Sequence, residues 1–142
     1  MDFFSAMDIL ASGLSAERMR MNVASSNMAN AQTTRTAQGG PYQRLDPVFT
    51  ATSADNSPFA DQLGQALKTV EVSDVVQDGS APRKIFDPGH PDADPQGYVA
   101  LPNVNLLEEM VNMITSARAY EAGTTALQSL VQMAERTLNL GK

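Results

Sequence analysis

Apolar residues recur at alternating steps of four and three at both ends of this chain, and no other feature limits its fold as much. The first series runs Phe3, Met7, Leu10, Leu14, Glu17, Met21, Ala24 and Met28. The second runs Leu106, Met110, Met113, Ala117, Tyr120, Thr124, Leu127, Val131, Ala134 and Leu138. This alternation draws one stripe along an α-helix, the a/d seam of a coiled coil. Glu17 breaks the first stripe, Ala24 thins it, and Thr124 is the polar member of the second. The spacing predicts helices over residues 3–30 and 105–140, about 40 and 50 Å long at 1.5 Å per residue. The polar run Asn27-Met28-Ala29-Asn30-Ala31-Gln32-Thr33-Thr34 favours leaving the first helix. Pro102 blocks helix ahead of the second, Asn105 is a good N-cap, and Glu108 stands where a capping box wants its carboxylate. Gly141 suits the far end. Gly13 and Gly123 are the weak points of the two helices.

The middle, residues 31–104, has a different character. It holds all 8 prolines and 6 of the 9 glycines. Pro41 to Thr50 reads as an edge strand, with Tyr42, Leu45, Val48 and Phe49 apolar and Pro47 barring a central place. Thr69 to Val76 is valine-rich and reads as a second strand. Asp78-Gly79 is a turn signal, across which Arg83 to Phe86 is expected to pair back. Residues 51–58 read as a loop and Pro58 to Leu67 as a short helix. From Asp87 to Pro102 the proline density predicts an extended run. The expected fold is mainly α: an antiparallel coiled-coil pair of terminal helices (1–30 and 105–142) with a small β-rich middle (31–104) and an extended Pro-rich segment.

Two such helices make a poor isolated object. A solvated coiled coil fills its outer positions with lysine and glutamate. Here those positions carry Ser5, Ala11, Ser15, Ala16, Asn22 and Ser25 in the first helix, and Asn112, Ser116, Ala119, Ala122 and Ala126 in the second. Ile9, Val23, Leu107, Ile114 and Leu130 add apolar surface off the seam. The pattern points to helices that pack against neighbouring subunits as well as each other. An ordinary bundle with a broad apolar face is the competing reading. On the assembly reading both ends are largely unfolded in the free monomer.

Composition removes several functions. The net charge of −6 disfavours nucleic acid and anionic membrane surfaces. The absence of cysteine removes disulfides, thiolate nucleophiles and Cys-based zinc sites. No apolar run approaches the roughly 20 residues needed to span a bilayer. Met1-Asp2-Phe3-Phe4 lacks a basic n-region and Asp8 interrupts any apolar h-region, so no cleavable secretory signal is expected.

The two ends also carry recognisable residues. Asn27, Ala29, Asn30 and Thr33 fit the N-x-A-N-x-x-T signature of flagellar rod and hook proteins. Val104-Asn105-Leu106-Leu107-Glu108-Glu109-Met110-Val111-Asn112-Met113-Ile114, followed by Arg118-Ala119-Tyr120-Glu121-Ala122, is similar to their C-terminal motif. The stretch from Phe86-Asp87-Pro88-Gly89-His90-Pro91 to Gly97-Tyr98-Val99 looks like one proximal member in particular. The resemblance covers nearly the whole chain and is weakest from Thr50 to Lys68. It implies a structural subunit of the basal-body rod, which assembles helically and transmits torque from motor to hook and filament. It further implies type III export without a cleaved signal, a periplasmic location, and partners among other rod proteins, copies of itself, the inner-membrane ring and rod-base export components.

No catalytic, cofactor-binding or metal-binding residue is expected. His90 with Asp87, Asp92 and Asp94 is the sole metal-like cluster, and such aspartates more often cap turns. Asp92, Asp94 and Gly97 have the spacing of a calcium loop, but Gln96 replaces the third ligand and Asn103 stands where the bidentate glutamate belongs. An enzyme using His90 and an adaptor binding one partner through a coiled coil are the other classes considered. Arg18, Arg20, Arg118 and Glu121 are candidates for ion pairs between subunits. Tyr120 and the set Met7, Met21, Met28, Met110 and Met113 read as packing residues.

Overall fold

A computed structural model describes residues 3–53 and 68–140. Helix α1 spans Phe3–Ala29 and helix α2 spans Leu106–Leu140. Between them lie strands β1 (Leu45–Ser53), β2 (Lys68–Gln77), β3 (Arg83–Phe86) and β4 (Tyr98–Leu101). Both helices fall within a residue or two of their expected bounds. The short helix expected over Pro58 to Leu67 lies outside the described residues.

Helix α1 ends where its sequence turns polar. Asn30 Nδ2 donates to the Ser26 carbonyl at 2.9 Å, and Thr33 Oγ1 donates to Asn30 Oδ1 at 3.2 Å. These side chains take over as the backbone ladder stops. Helix α2 starts at its expected cap, with Leu107 N–H donating to Asn105 Oδ1 at 3.2 Å.

Helix α1 packs on α2 along one side and on the β1–β2 hairpin along another. This dual packing spreads the covered face beyond the expected stripe. Every a/d residue of α1 from Phe3 to Met28 is at least half-buried, as are Met113, Ala117, Tyr120, Thr124, Leu127 and Ala134 of α2. The buried residues of α1 are Ala16, Val23, Ala24 and Asn27, and only Ala24 belongs to the a/d series. On α2 the buried residues are Glu109 and Ser116, whereas Leu106, Met110, Val131 and Leu138 of the expected stripe are exposed. The reason is steric. Closest approach between helices goes to small side chains, and Ala16, Ala24 and Ser116 are small. Gly123 belongs to the same contact: a Cβ built on it would lie 2.8 Å from Leu14 Cδ2, so the leucine occupies the space the glycine leaves.

Strands β1 and β2 pair antiparallel from Leu45 opposite Gln77 to Ser53 opposite Lys68. The register shifts between Val48 and Phe49, and the extra residue is Ser73, whose Oγ donates to the Val48 carbonyl at 3.2 Å. Pro47 sits in β1, which in a two-stranded sheet is an edge strand, as its missing N–H requires. Val70 N–H donates to Ser12 Oγ of α1 at 3.2 Å, which ties β2 to the helix.

The expected pairing of residues 83–86 is corrected. They do not return to β2 but pair antiparallel with β4, Arg83 opposite Leu101 and Phe86 opposite Tyr98. The turn at Asp78 explains this. Its carboxylate accepts from Ser80 N–H and Ser80 Oγ, at 2.8 and 2.6 Å, which also holds its pKa below the usual carboxylate value. Its backbone is claimed on both sides: Asp78 N–H donates to the Arg44 carbonyl, and Asn103 Nδ2 donates to the Asp78 carbonyl. So anchored, the chain leaves the first sheet rather than folding back along it.

The segment after β3 is not extended, as its prolines suggest, but a series of turns closed by side chains. Gly89 N–H donates to Asp87 Oδ1, Asp92 N–H to His90 Nδ1, and Gln96 N–H to Asp94 Oδ1. Gly97 then admits β4, with φ of 83° in the left-handed region. A Cβ there would meet Phe86 Cε2 at 2.9 Å and Pro88 Cβ at 3.2 Å. Phe86 in turn makes an edge-to-face contact with Tyr98, ring centroids 5.3 Å apart. Gly97→Ala should therefore lose about 3 kcal/mol, combining left-handed strain with overpacking. Denaturant unfolding of the full chain, followed by a probe in the β3–β4 hairpin, measures it.

Candidate functional site

The described residues bury little apolar surface, chiefly Ala16, Val23, Ala24, Val99 and Val104. What joins the two ends is a polar node. Asn27, in the last turn of α1, is fully buried. Its Nδ2 donates to the Leu45 carbonyl at 2.8 Å and to Glu109 Oε2 at 3.0 Å. Its Oδ1 accepts from Leu45 N–H and from Tyr42 Oη, both at 2.9 Å. Both amide donors and both acceptor positions are filled, so the buried side chain carries no unsatisfied group.

Glu109 lies in the first turn of α2 and is also buried. Its Oε1 accepts from Arg44 Nε at 2.7 Å, a charge-assisted bond. The helix N-terminus adds favourable potential for the carboxylate. Arg44 also faces Asp46 at 3.5 Å, and its backbone N–H donates to Asn103 Oδ1 at 2.9 Å. Burial pushes the guanidinium pKa down, but bonding and charge from Glu109, then Asp46, outweigh it and the net shift is upward. The Arg44 guanidinium therefore stays charged.

One node thus fastens α1 through Asn27, α2 through Glu109, and the entry to β1 through Arg44. A buried ion pair is poor evidence for net stability, but breaking one strands a charge. Its chief consequence is geometric: helices and hairpin have one arrangement in which all these bonds close. The sequence offered Glu108 as a capping-box residue; it is Glu109 beside it that the structure buries and pairs. The available signal was a charge inside the run from Leu106 to Ile114, together with an asparagine on the inner face of α1.

The second feature is surface. Leu107, Met110, Val111 and Ile114 stand at i, i+3, i+4 and i+7 on α2, and all are exposed, Leu107 by 73% and Val111 by 62%. At the other end of the helix pair, Phe3, Ala6, Leu130, Met133 and Leu138 line an open apolar groove of about 440 Å³. Contiguous exposed apolar residues of this kind mark a surface that another protein covers.

The other residues singled out from the sequence fall as follows. Arg20 pairs within its own helix with Glu17 at 3.7 Å, while Glu17 Oε2 is buried without a partner. Arg18, Arg118 and Glu121 are exposed and belong to no ion pair among the described residues. Tyr120, Met7, Met21, Met28 and Met113 are half-buried between elements, and Met110 is on the exposed face. Asp87 and Asp94 close turns, while Asp92 Oδ2 accepts from Thr34 Oγ1 at 2.8 Å. Among the described residues no group of three or more His, Cys, Asp or Glu side chains is placed to hold a metal ion. A groove of about 430 Å³ beside the node is lined by Thr36, Gln38, Tyr42, Gln43, Gln77 and Asn103 among others, and holds no carboxylate, imidazole or cation.

Comparison with known proteins connects these features. A family model described as flagella basal body rod protein matches residues 7–35, which include Asn27. One described as flagellar basal body rod FlgEFG protein C-terminal matches residues 96–140, which include Glu109 and the exposed face. The flagellar basal-body rod protein FlgC of Borreliella burgdorferi is 43% identical over 94% of this chain and 93% of its own. The proteins of the same name from Yersinia enterocolitica and Bacillus subtilis are each 38% identical over the full length of both chains. With both terminal motifs matched and full-length similarity at this level, the chain belongs to the FlgC family of flagellar basal-body rod proteins, structural components of the rod rather than enzymes.

Proposed function

We propose that this chain is a subunit of the proximal rod that assembles helically and transmits torque from motor to hook and filament. The observation that carries this is the exposed stripe Leu107, Met110, Val111 and Ile114, which lies within the matched C-terminal segment and is left uncovered among the described residues. A torque-bearing tube needs side-to-side contacts of this apolar kind. The node around Asn27 and Glu109 supports the reading, because it fixes how the apolar stripe is presented relative to the middle of the chain.

On this reading α1 and α2 form an antiparallel coiled coil within residues 1–30 and 105–142. Three contacts support that direction. Asn27 meets Glu109, Leu14 lies against Gly123, and Phe3 lines a groove with Leu138. Residues 31–104 form the outer, β-containing part. The partners are copies of this chain, other rod proteins, the inner-membrane ring and rod-base export components. The subunit reaches a periplasmic position by type III export without a cleaved signal. Among the described residues no helix is long and apolar enough to cross a membrane, which accords with a rod subunit.

Removing residues 1–10 tests the assembly role. The truncated chain loses the Phe3 and Ala6 side of the groove and should enter no rods, leaving cells non-motile. Normal rods and swimming from this variant would overturn the proposal. An adaptor would instead give a stable heterodimer in dilute solution, which sedimentation distinguishes.

A further inference from the structure

We propose that His90 is a pH-responsive clasp that holds the turn segment after β3 against the segment that follows α1, a property separate from the rod role. The observation is a comparison of turns within one chain. At Asp78, Asp87 and Asp94 a carboxylate oxygen accepts the N–H two residues on, at 2.8, 3.2 and 2.9 Å. At residue 90 an imidazole does the same work: His90 Nδ1 accepts Asp92 N–H at 3.1 Å. An asparagine or aspartate is the ordinary residue for this turn. A histidine acceptor differs in one respect, which is that protonation abolishes it.

The bond has consequences beyond the turn. It holds the backbone at Asp92, whose Oδ2 accepts from Thr34 Oγ1 at 2.8 Å and whose Oδ1 lies 3.8 Å from Arg35 Nη1. Thr34 and Arg35 follow Thr33 of the N-terminal signature directly. The clasp therefore joins the segment that precedes β4 to the residues that follow α1. Two more bonds shape the same loop: His90 N–H donates to the Asp87 carbonyl, and Ala93 N–H to the His90 carbonyl.

Histidine is the side chain whose charge changes between about pH 5 and 8. With Nδ1 accepting, the neutral ring carries its proton on Nε2. The imidazolium has two donors and no acceptor, so it cannot keep the Asp92 N–H. The charged groups of the same loop are Asp87, Asp92 and Asp94, whose oxygens are engaged by Gly89 N–H, by Thr34 Oγ1, and by Gln96 and Tyr98 N–H, respectively. The segment against it contributes Arg35, 3.8 Å from Asp92. The sign follows from which ring form the clasp needs. Neutral His90 completes it, so it is closed above the histidine titration and opens as pH falls through it.

The test is amide exchange by NMR on the full chain at pH 8 and pH 5, corrected for the intrinsic pH dependence of exchange. Protection of the Asp92 amide should fall at least tenfold between the two. In His90→Asn, whose Oδ1 accepts the same N–H at either pH, protection should be retained and constant. The ring nitrogen shifts of His90 should follow the same midpoint as the Asp92 amide. A wild-type amide equally protected at both pH values overturns the proposal. So does an equal fall in His90→Asn, or an Asp92 amide already unprotected at pH 8.

Discussion

Arg44→Ala should cost about 3–5 kcal/mol in the docked arrangement of helices and hairpin, because it leaves the Glu109 carboxylate buried and unpaired. That is a factor of roughly 10² to several times 10³ in the docked population. The expected readouts are a lowered unfolding midpoint for the full chain and few completed rods in cells carrying the variant. Arg44→Lys keeps the charge but not the Nε–H directed at Oε1, and should fall between. The informative comparison is Arg44→Met with Glu109→Leu. The double change removes both charges, and should recover at least half of what either single change loses. Asn27 limits the recovery, since one of its Nδ2 bonds goes to Glu109 and would then be unmade. A double variant no better than Arg44→Met would mean the pair contributes nothing as a pair.

Placing charge on the exposed face should have an even larger effect on assembly and almost none on the free chain. Val111→Asp with Ile114→Asp introduces two carboxylates where a neighbouring subunit would exclude water. Each unpaired carboxylate so buried costs several kcal/mol, and the cost recurs at every copy in a helical tube. Rod incorporation should fall below detection and swimming should stop. Both residues are already exposed in the chain, so its unfolding midpoint should change by under about 0.5 kcal/mol. Sedimentation and circular dichroism of the purified variant would establish that the chain is otherwise unaltered. Rods of normal number containing the doubly charged subunit would remove this face from the interface.

The two substitutions separate two functions that sit close together. Glu109 and Val111 are two residues apart on α2, one turned inward to Arg44 and the other outward. A helical residue changes direction by about 100° per step, so two steps put them on nearly opposite sides. The inner side helps specify how the chain folds, and the outer side is the apolar face proposed to meet neighbouring subunits.

Much of this was legible in the residues alone. The helix limits follow from local chemistry: Asn105 caps, Pro102 blocks, and the Asn27 to Thr34 run supplies side chains that compete with the ladder. Strands β1 and β2 follow from valine content and the edge position of Pro47. The motifs at the two ends identified the family. What failed were judgements about partners. A period of 3.5 gives the existence of a stripe, but not how far the covered face spreads beyond it when a hairpin also needs space. Likewise Arg83–Phe86 has the composition of a strand, and nothing in its four residues says whether its partner lies before it or after it.

Asn27, Arg44 and Glu109 show the same division most clearly. Asn27 and Glu109 stand in the two terminal motifs and Arg44 in neither, and separations of 17 and 65 positions give no sign that the three meet. The chain's sequence by itself determined two long helices, a proline-rich middle and a surplus of apolar surface, because periodicity, capping and turn chemistry act over a few residues. Only the tertiary structure decided which side of each helix is covered, which strand pairs with which, and that three distant polar groups satisfy one another. Those outcomes depend on volume and hydrogen-bond closure among segments that meet only after the chain has folded.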